Sequence, residues 1–110
     1  MITFDDFKKV EISVGKILSV EIVPDTDKLL KLSVDFSESE GPRQIVSGIK
    51  EFFPDIQILV GKKCLFVTNL DPRTIKGLES NGMLFALSTD DGGFSLLEPN
   101  ESIPVGTKAH

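Results

Sequence analysis

Short segments in which apolar and polar residues alternate are the feature that most constrains the fold of this chain. The pattern runs through residues 10–23 and again through residues 28–36. A period of two residues is typical of strands that bury one face. Turn-forming Gly, Pro, Asn and Asp residues separate these segments from the later ones. The sequence therefore predicts an all-β fold of short strands, with a bulge or bend at Gly15 inside the first strand.

The predicted elements extend over the whole chain and include one helix. Thr3 and Asp6 resemble the two ends of a capping box, which favours a short helix at about residues 4–9. Phe4 and Phe7 would share one face of this helix, so we expect them to close one end of a barrel. The other predicted elements are strands at 10–23, 28–36, 43–49, 63–68, 83–88 and 94–98, a helical turn at 50–53 and an edge strand at 105–108.

Five strands with one helical turn between the third and the fourth describe a partly open oligonucleotide/oligosaccharide-binding (OB) barrel. The short helix precedes this barrel, and extra strands follow it at the C-terminal end. A β-sandwich or a small SH3-like barrel shares much of the same pattern. The length of 110 residues fits one domain, so we expect a single domain over residues 1–110.

The composition argues against several classes of protein. No apolar run reaches the roughly 20 residues of a membrane-spanning helix, and the N-terminus lacks the basic start and apolar middle of a signal peptide. Cys64 is the only cysteine, so a cytoplasmic location without an internal disulfide is expected. His110, at the chain end, is the only histidine. Because zinc sites and histidine-based catalysis need more such side chains, we expect no enzyme activity, metal site or cofactor.

Charge is distributed unevenly along the chain. The net charge of −5 argues against indiscriminate binding of polyanions. Residues 43–76 carry six basic and three acidic side chains, a charge of +3, which leaves −8 for the rest of the chain. One basic stripe can hold a phosphate backbone if the fold gathers it on one face. Lysines scattered in solvent are the alternative interpretation.

Residues 69–83 contain more polar side chains than a tight turn between two strands needs. Pro72, Gly77 and Gly82 indicate that the backbone leaves the sheet and then returns to it. The polar side chains of this connection are Asn69, Arg73, Lys76 and Ser80. We therefore expect the loop and its strand ends to form the functional surface.

Each candidate residue also has a purely structural interpretation. Met83, at the start of an apolar strand, fits a core position. Ser80 fits a bond to the local backbone, and Asn69 fits an Asx-turn. Solvated surface charge fits the four basic candidates, Lys28, Lys31, Arg73 and Lys76.

The loop resembles the signature of the tRNA-binding domain family, since it reads Asn69-Leu70-x-Pro72-Arg73-x-x-x-Gly77-x-x-Ser80-x-Gly82-Met83. That family includes a domain at the C-terminus of many methionyl-tRNA synthetases, stand-alone tRNA-binding proteins and the tRNA-binding half of endothelial-monocyte-activating cytokines. Further segments match in order and spacing, at 4–7, 14–17, 27–32, 46–49 and 59–63. The resemblance covers the chain from about residue 4 to residue 108.

The resemblance implies an OB barrel that forms a homodimer through segments outside the barrel and binds tRNA by shape, near the elbow, without catalysis. The residues that it assigns to tRNA are Lys28, Lys31, Asn69, Arg73, Ser80 and Met83, and Lys76 joins them as a second cation able to neutralise phosphate. Arg73 suits bidentate binding of phosphate, while amides and hydroxyls suit 2′-hydroxyls. Family members often carry a basic residue where this chain has Thr74.

The leading hypothesis is a non-catalytic tRNA-binding module that assists an aminoacyl-tRNA synthetase, by resemblance methionyl-tRNA synthetase, in cis or in trans. Its expected partners are tRNA, a second copy of the chain and that synthetase. One alternative is a polypeptide-binding secretion chaperone of the same superfamily. Those chaperones lack much of the Pro-Arg and Ser-x-Gly-Met pattern, which ranks them second. A structural assembly domain that has lost RNA binding is the third interpretation.

Overall fold

A computed structural model describes every residue of the chain, from Met1 to His110, as a barrel preceded by one short helix. The elements are α1 (Phe4–Phe7), β1 (Ile12–Ile22), β2 (Leu30–Asp35), β3 (Arg43–Ser47), β4 (Lys63–Val67), β5 (Arg73–Ile75), β6 (Leu78–Ser80), β7 (Met83–Leu84), β8 (Ala86–Ser88) and β9 (Phe94–Leu96). Two 3-10 turns, Lys50–Phe52 and Ile56–Leu59, lie between β3 and β4.

Five of the strands form an antiparallel sheet in the order β3-β2-β1-β4-β7. The sheet curls until its edge strand β3 lies against β6 and β7, which nearly closes the barrel. Two hairpins, β5–β6 and β8–β9, stand outside this sheet. The predicted five-stranded barrel with a short N-terminal helix and extra C-terminal strands is confirmed. Its closing edge brings residues 78–84 against β3.

The bend in β1 lies at a different residue from the one predicted. The ladder between β1 and β2 shifts register between Ile17 and Ser19, so the bulge falls at Leu18. The extra residue changes which side chains face inward. Ile17 is therefore buried and Leu18 is exposed, which reverses the phase that a simple alternation through residues 10–23 gives them. Ile22, the last residue of β1, is also exposed. The prediction of a bulge at Gly15 is wrong.

Gly15 is needed for close packing between β1 and β2. A Cβ atom at this position would lie 2.6 Å from both Phe36 Cε1 and Val34 Cγ1. These two side chains pack directly against the β1 backbone at Gly15. A larger residue at this position would occupy the space that they fill.

The core is a single cluster of buried apolar side chains. Its members are Ile17, Val20, Leu30, Leu32, Val34, Phe36, Ile45, Ile49, Leu59, Cys64, Phe66 and Leu84. The rings of Phe36 and Phe66 meet edge to face with centroids 5.2 Å apart. Burial raises the pKa of the Cys64 thiol to about 12, so this buried thiol stays protonated at neutral pH.

The segment between β3 and β4 contains one predicted turn and one that was not predicted. The helical turn expected at 50–53 is confirmed as the turn at Lys50–Phe52. The second turn, Ile56–Leu59, begins where the Asp55 carboxylate accepts a hydrogen bond from the Gln57 N–H at 3.1 Å. It carries Leu59 into the core.

None of the helices in this structure combines the length and the apolar character that spanning a membrane requires.

The N-terminal helix is shorter than predicted but has the predicted cap. The Thr3 hydroxyl accepts a hydrogen bond from the Asp6 N–H, and the Asp6 carboxylate accepts one from the Thr3 N–H. Phe4 and Phe7 are 74% and 46% exposed, so the expectation that they close the barrel is wrong. They instead line a cavity of about 220 Å³ together with Val10 and other residues of both chain ends.

The C-terminal strands differ from the prediction at two places. The strand predicted at 83–88 is two strands, because β7 pairs with β4 whereas β8 leaves the sheet to pair with β9. The strand predicted at 94–98 is confirmed as β9, with a shorter range. The edge strand predicted at 105–108 is reduced to one bridge, between Lys108 and Ser13.

Candidate functional site

The connection at residues 69–83 is a β-hairpin rather than an irregular loop. Arg73 pairs with Ser80, and Ile75 pairs with Leu78. Lys76 and Gly77 form the two-residue turn, with φ of +50° and +79°. Positive φ at both central residues is what a type I′ hairpin turn requires. The exposed Lys76 therefore stands at the tip of the β5–β6 hairpin.

Ser80 is buried at the seam where the barrel closes. Its hydroxyl accepts a hydrogen bond from the Val46 N–H at 3.0 Å and donates one to the Gly82 carbonyl at 3.1 Å. The Ser80 hydroxyl therefore satisfies a backbone N–H on the edge of β3 that would otherwise need a carbonyl from a neighbouring strand. Its donor and one of its acceptor sites are used within the protein, and 4% of the residue is exposed. The expected contact between Ser80 and a 2′-hydroxyl is not what this geometry provides.

Asn69 fastens the start of the hairpin segment to the chain between α1 and β1. Its Oδ1 accepts a hydrogen bond from the Glu11 N–H at 2.7 Å, and its Nδ2 donates one to the Lys9 carbonyl at 2.6 Å. Both ends of the amide therefore have partners in the protein. Like Ser80, Asn69 has the geometry of a residue that positions its neighbours.

A cavity of about 230 Å³ brings together three of the predicted site residues. Arg73, Ser80 and Met83 line one part of it. Residues 46–48, at the end of β3, line another part. Met83 is 43% exposed, so the core position that its sequence context suggested is not observed. Met83 offers a polarisable side chain to an occupant of the cavity.

The predicted cations differ in their surroundings. None of the five ion pairs in the structure involves Arg73, Lys76 or Lys28. Lys28 precedes β2, and its carbonyl accepts a hydrogen bond from the Lys50 N–H, two residues beyond the wall of the Arg73 cavity. Lys31 instead pairs with Glu21 at 2.8 Å and lines a different cavity. Its partner in the ladder between β2 and β3 is Val46, which lines the Arg73 cavity, so Lys31 lies one strand away from that wall.

Arg43 is a residue of this site that the sequence analysis missed. Its guanidinium donates to the carbonyl of Thr68 at 2.7 Å and to that of Asn81 at 3.3 Å. These carbonyls lie at the two ends of the segment that contains the hairpin. Glu38 holds the guanidinium in a two-pronged ion pair, with distances of 2.8 and 2.7 Å. These hydrogen bonds lower the pKa of Glu38 and raise that of Arg43.

A second polar cluster supports the start of the same segment from the N-terminal side. The Thr68 hydroxyl donates to the Glu11 carboxylate at 2.7 Å, and Lys108 forms an ion pair with Glu11 at 2.9 Å. The hydrogen bonds from Thr68 and Lys108 lower the pKa of Glu11. Thr68 thus joins the N-terminal segment, the C-terminal segment and Arg43 at one corner of the barrel.

The nearly closed antiparallel barrel, with a polar hairpin at its closing seam, defines the class of protein as an OB-type binding barrel. The particular family follows from the sequence match. The chain belongs to the tRNA binding domain family, whose model matches residues 12–108.

Relatives and solved structures agree with this family. The methionine–tRNA ligase of Lactococcus lactis is 46% identical over 107 residues, which are 96% of this chain and 16% of the ligase. A MetRS-related protein from Pyrococcus horikoshii has a TM-score of 0.89 and 39% identity, covering 100% of this chain and 98% of that one. The CsaA chaperone protein from Picrophilus torridus has a TM-score of 0.87 and 30% identity, covering 100% of both chains. The chain therefore spans about a sixth of the ligase that it matches.

Proposed function

We propose that this chain is a non-catalytic module that binds tRNA by shape and assists methionyl-tRNA synthetase in the cytoplasm, in cis or in trans. The observation that carries the proposal is the cavity at the base of the β5–β6 hairpin, which is lined by Arg73, whose side chain forms no ion pair, and by the part-exposed Met83. The family and the ligase relatives support tRNA as the ligand. A tRNA presents phosphates, which Arg73 can neutralise, and exposed bases and sugars, to which Met83 offers a polarisable contact.

The predicted site residues take two roles in this proposal. Arg73, Lys76 and Met83 are the direct contacts, and Lys28 extends the basic surface beyond residues 46–48. Ser80 and Asn69 hold the backbone that carries these contacts in place, because their side chains form hydrogen bonds with the protein backbone. Lys31, paired with Glu21, contributes at the edge of the surface at most.

Filter binding of bulk tRNA at several salt concentrations tests the proposal. Arg73→Ala should weaken binding and reduce the slope of log K against log salt by about one unit, because one phosphate contact is lost. Ser80→Ala should weaken binding with an unchanged slope, since no charge is removed. Lys16→Ala is the matched control, because Lys16 is an exposed lysine on β1 that forms no ion pair. Unchanged binding by Arg73→Ala would contradict the site.

We also propose that the module works as a homodimer through the face formed by α1 and the chain ends. Phe4, Phe7, Val10 and Ile12 line an apolar cavity there with Ala109. Phe4, at 74% exposed, leaves an apolar ring in solvent beside this cavity, and a second copy of the same face would bury it. Sedimentation should show a dimer that Phe4→Glu converts to monomer. Ile58→Glu, at an exposed apolar residue of another cavity, is the control that should remain dimeric.

A chaperone is the second candidate function, because the full-length match to CsaA and the same apolar face fit it. The test is suppression of the aggregation of an unfolded client protein. Suppression without measurable tRNA binding would favour the chaperone over the tRNA-binding module.

A further inference from the structure

The Asn81-Gly82 dipeptide lies between β6 and β7, and its Gly82 lines the Arg73 cavity of the proposed RNA-binding surface. The backbone of Asn81 is held on both sides, since its N–H donates to the Gln44 carbonyl at 2.8 Å and its carbonyl accepts from Arg43. The side chain is not held, because the Asn81 carboxamide makes no hydrogen bond within the protein. Asn81 lines an open cavity of about 560 Å³ that contains no hydrophobic residue in its wall. Water therefore has free access to the carboxamide.

Gly82 is equally free to react at its backbone nitrogen. The Gly82 N–H donates no hydrogen bond to another backbone or side-chain group. Its φ of +143° lies in a region that favours glycine. With no side chain, Gly82 does not shield its own nitrogen from the preceding carboxamide.

We propose that Asn81 is a site of spontaneous covalent modification, in which the amide becomes an aspartate or isoaspartate. The Gly82 nitrogen loses its proton to hydroxide and bonds to Asn81 Cγ. The bond from Cγ to the amide nitrogen breaks, and ammonia leaves with a proton from water. Water then opens the resulting five-membered succinimide at either carbonyl carbon. Water and hydroxide are the only co-reactants, so no enzyme or redox partner is needed.

The other two asparagines of the chain serve as internal comparisons. Asn69 precedes Leu70, and both ends of its amide are hydrogen-bonded. Asn100 precedes Glu101, whose side chain crowds the attacking nitrogen. The structure therefore assigns the reactivity to Asn81 alone.

The modification would disturb the RNA-binding surface at two points. An isoaspartate adds one methylene to the backbone between the bonds to Gln44 and Arg43. It would therefore shift Met83 of β7, which pairs with Val67 of β4. Either product adds a negative charge to a cavity wall that already contains Glu38. Because polyanions are repelled by such a charge, we expect weaker tRNA binding. This last step rests on the proposed function.

Peptide mapping of the folded protein tests the modification. Samples are incubated at physiological temperature at neutral and mildly alkaline pH, mapped by mass spectrometry and labelled with an isoaspartyl methyltransferase. The amide-to-acid mass gain and the label are expected at residue 81, faster at higher pH, with Asn69 and Asn100 unchanged. Asn81→Gln keeps an amide but slows ring closure, so it should stay unlabelled at residue 81, and peptide mapping separates this position from any label at Asp91-Gly92. Conversion of residue 81 in urea but not in the folded protein would overturn the proposal, as would equal conversion of Asn100.

Filter binding of tRNA by fresh and aged protein tests the consequence. Aged wild type is expected to lose roughly tenfold in affinity, or about 1.4 kcal/mol, whereas aged Asn81→Gln binds like its fresh counterpart. Aged protein that carries the modification and binds tRNA as tightly as before would refute the link to binding. If fresh protein binds no tRNA, the proposed function fails, while the mapping result still decides whether residue 81 is modified.

Discussion

Arg43 acts on the hairpin through the protein backbone. Its guanidinium reaches the carbonyls of Thr68 and Asn81, and it also lies over the ring of Phe36 at 5.4 Å from the centroid. A planar, forked donor can hold Glu38 and two carbonyls at once, which an ammonium group cannot reproduce. The position of the hairpin therefore depends on the shape of this side chain as well as on its charge.

Arg43→Lys keeps the positive charge but removes the forked set of guanidinium donors. It therefore distinguishes an effect of the hairpin's position from an effect of charge. We expect a stability loss of about 1–3 kcal/mol in urea unfolding, the usual cost of lost hydrogen bonds to a charged group. We also expect weaker tRNA binding with an unchanged salt slope, since the number of phosphate contacts stays the same. A reduced slope would show instead that Arg43 touches the RNA.

The chemical types of the site residues can be read from the sequence, but their orientations cannot. Asn69 and Ser80 carry polar groups suited to RNA, and the sequence places them beside Arg73. Their hydrogen-bond partners are the Glu11 N–H and the Val46 N–H, 58 and 34 residues away along the chain. The local sequence pattern carries no information on partners so far away along the chain. For this reason Asn69 and Ser80 are predicted as tRNA contacts, although their side chains bond to the protein backbone.

At the scale of elements, the strands predicted at 28–36 and 63–68 are confirmed as β2 and β4, each with a shorter range. Alternate residues of β2 are buried, as a strand with one buried face requires. The three-residue strands β5 and β6 are too short to display a period, so their hairpin was predicted as a loop. In β1 the glycine suggested a bulge at Gly15, while the real bulge at Leu18 has no marker of its own.

Gly15→Ala tests whether β1 requires a glycine where it packs closely against side chains of β2 and Phe36. The added Cβ would lie 2.6 Å from Phe36 and Val34 atoms, so we expect a loss of about 1–3 kcal/mol in unfolding free energy. Urea denaturation at equilibrium gives this quantity. Gly48→Ala is the matched control, because nothing lies within 4 Å of its Cβ position. It should remain within about 1 kcal/mol of wild type, and an equal loss in both variants would contradict the packing argument.

At the scale of the whole molecule, ion pairs partly offset the acidic character of the chain. The net charge is −5, yet several of its carboxylates are paired with cations. Glu38 pairs with Arg43, and Glu11 pairs with Lys108. Asp71 and Glu79 balance Arg73 and Lys76 along the hairpin segment, so we expect the net charge to limit non-specific binding and tRNA binding to depend on where Arg73 and Lys76 are placed.

The pairing of these carboxylates makes stability depend on acidity. The pKa values of Glu38 and Glu11 lie below their ordinary range, through hydrogen bonds from Arg43 and from Thr68 respectively. A carboxylate with a lower pKa in the folded state stabilises the fold above its unfolded pKa, about 4.3, and this contribution is lost as the pH falls through the folded value. We therefore expect Glu38→Gln to be less stable than wild type at neutral pH, and the difference to shrink as the pH falls below about 4.

Urea unfolding of both proteins across this pH range measures the effect. Glu40→Gln is the control, since Glu40 lies in the same loop and forms no ion pair. A difference between wild type and Glu38→Gln that persists unchanged in acid would contradict an ionic origin.

The burial of Cys64 has a practical consequence for measuring these interactions. Its thiol is inaccessible and stays protonated at neutral pH, so thiol-reactive dyes would leave the native protein unlabelled. A cysteine introduced as Thr74→Cys, at an exposed residue of β5, would then be the single reactive position. One fluorophore could report on the hairpin directly, in a chain that contains no Trp or Tyr to contribute background emission.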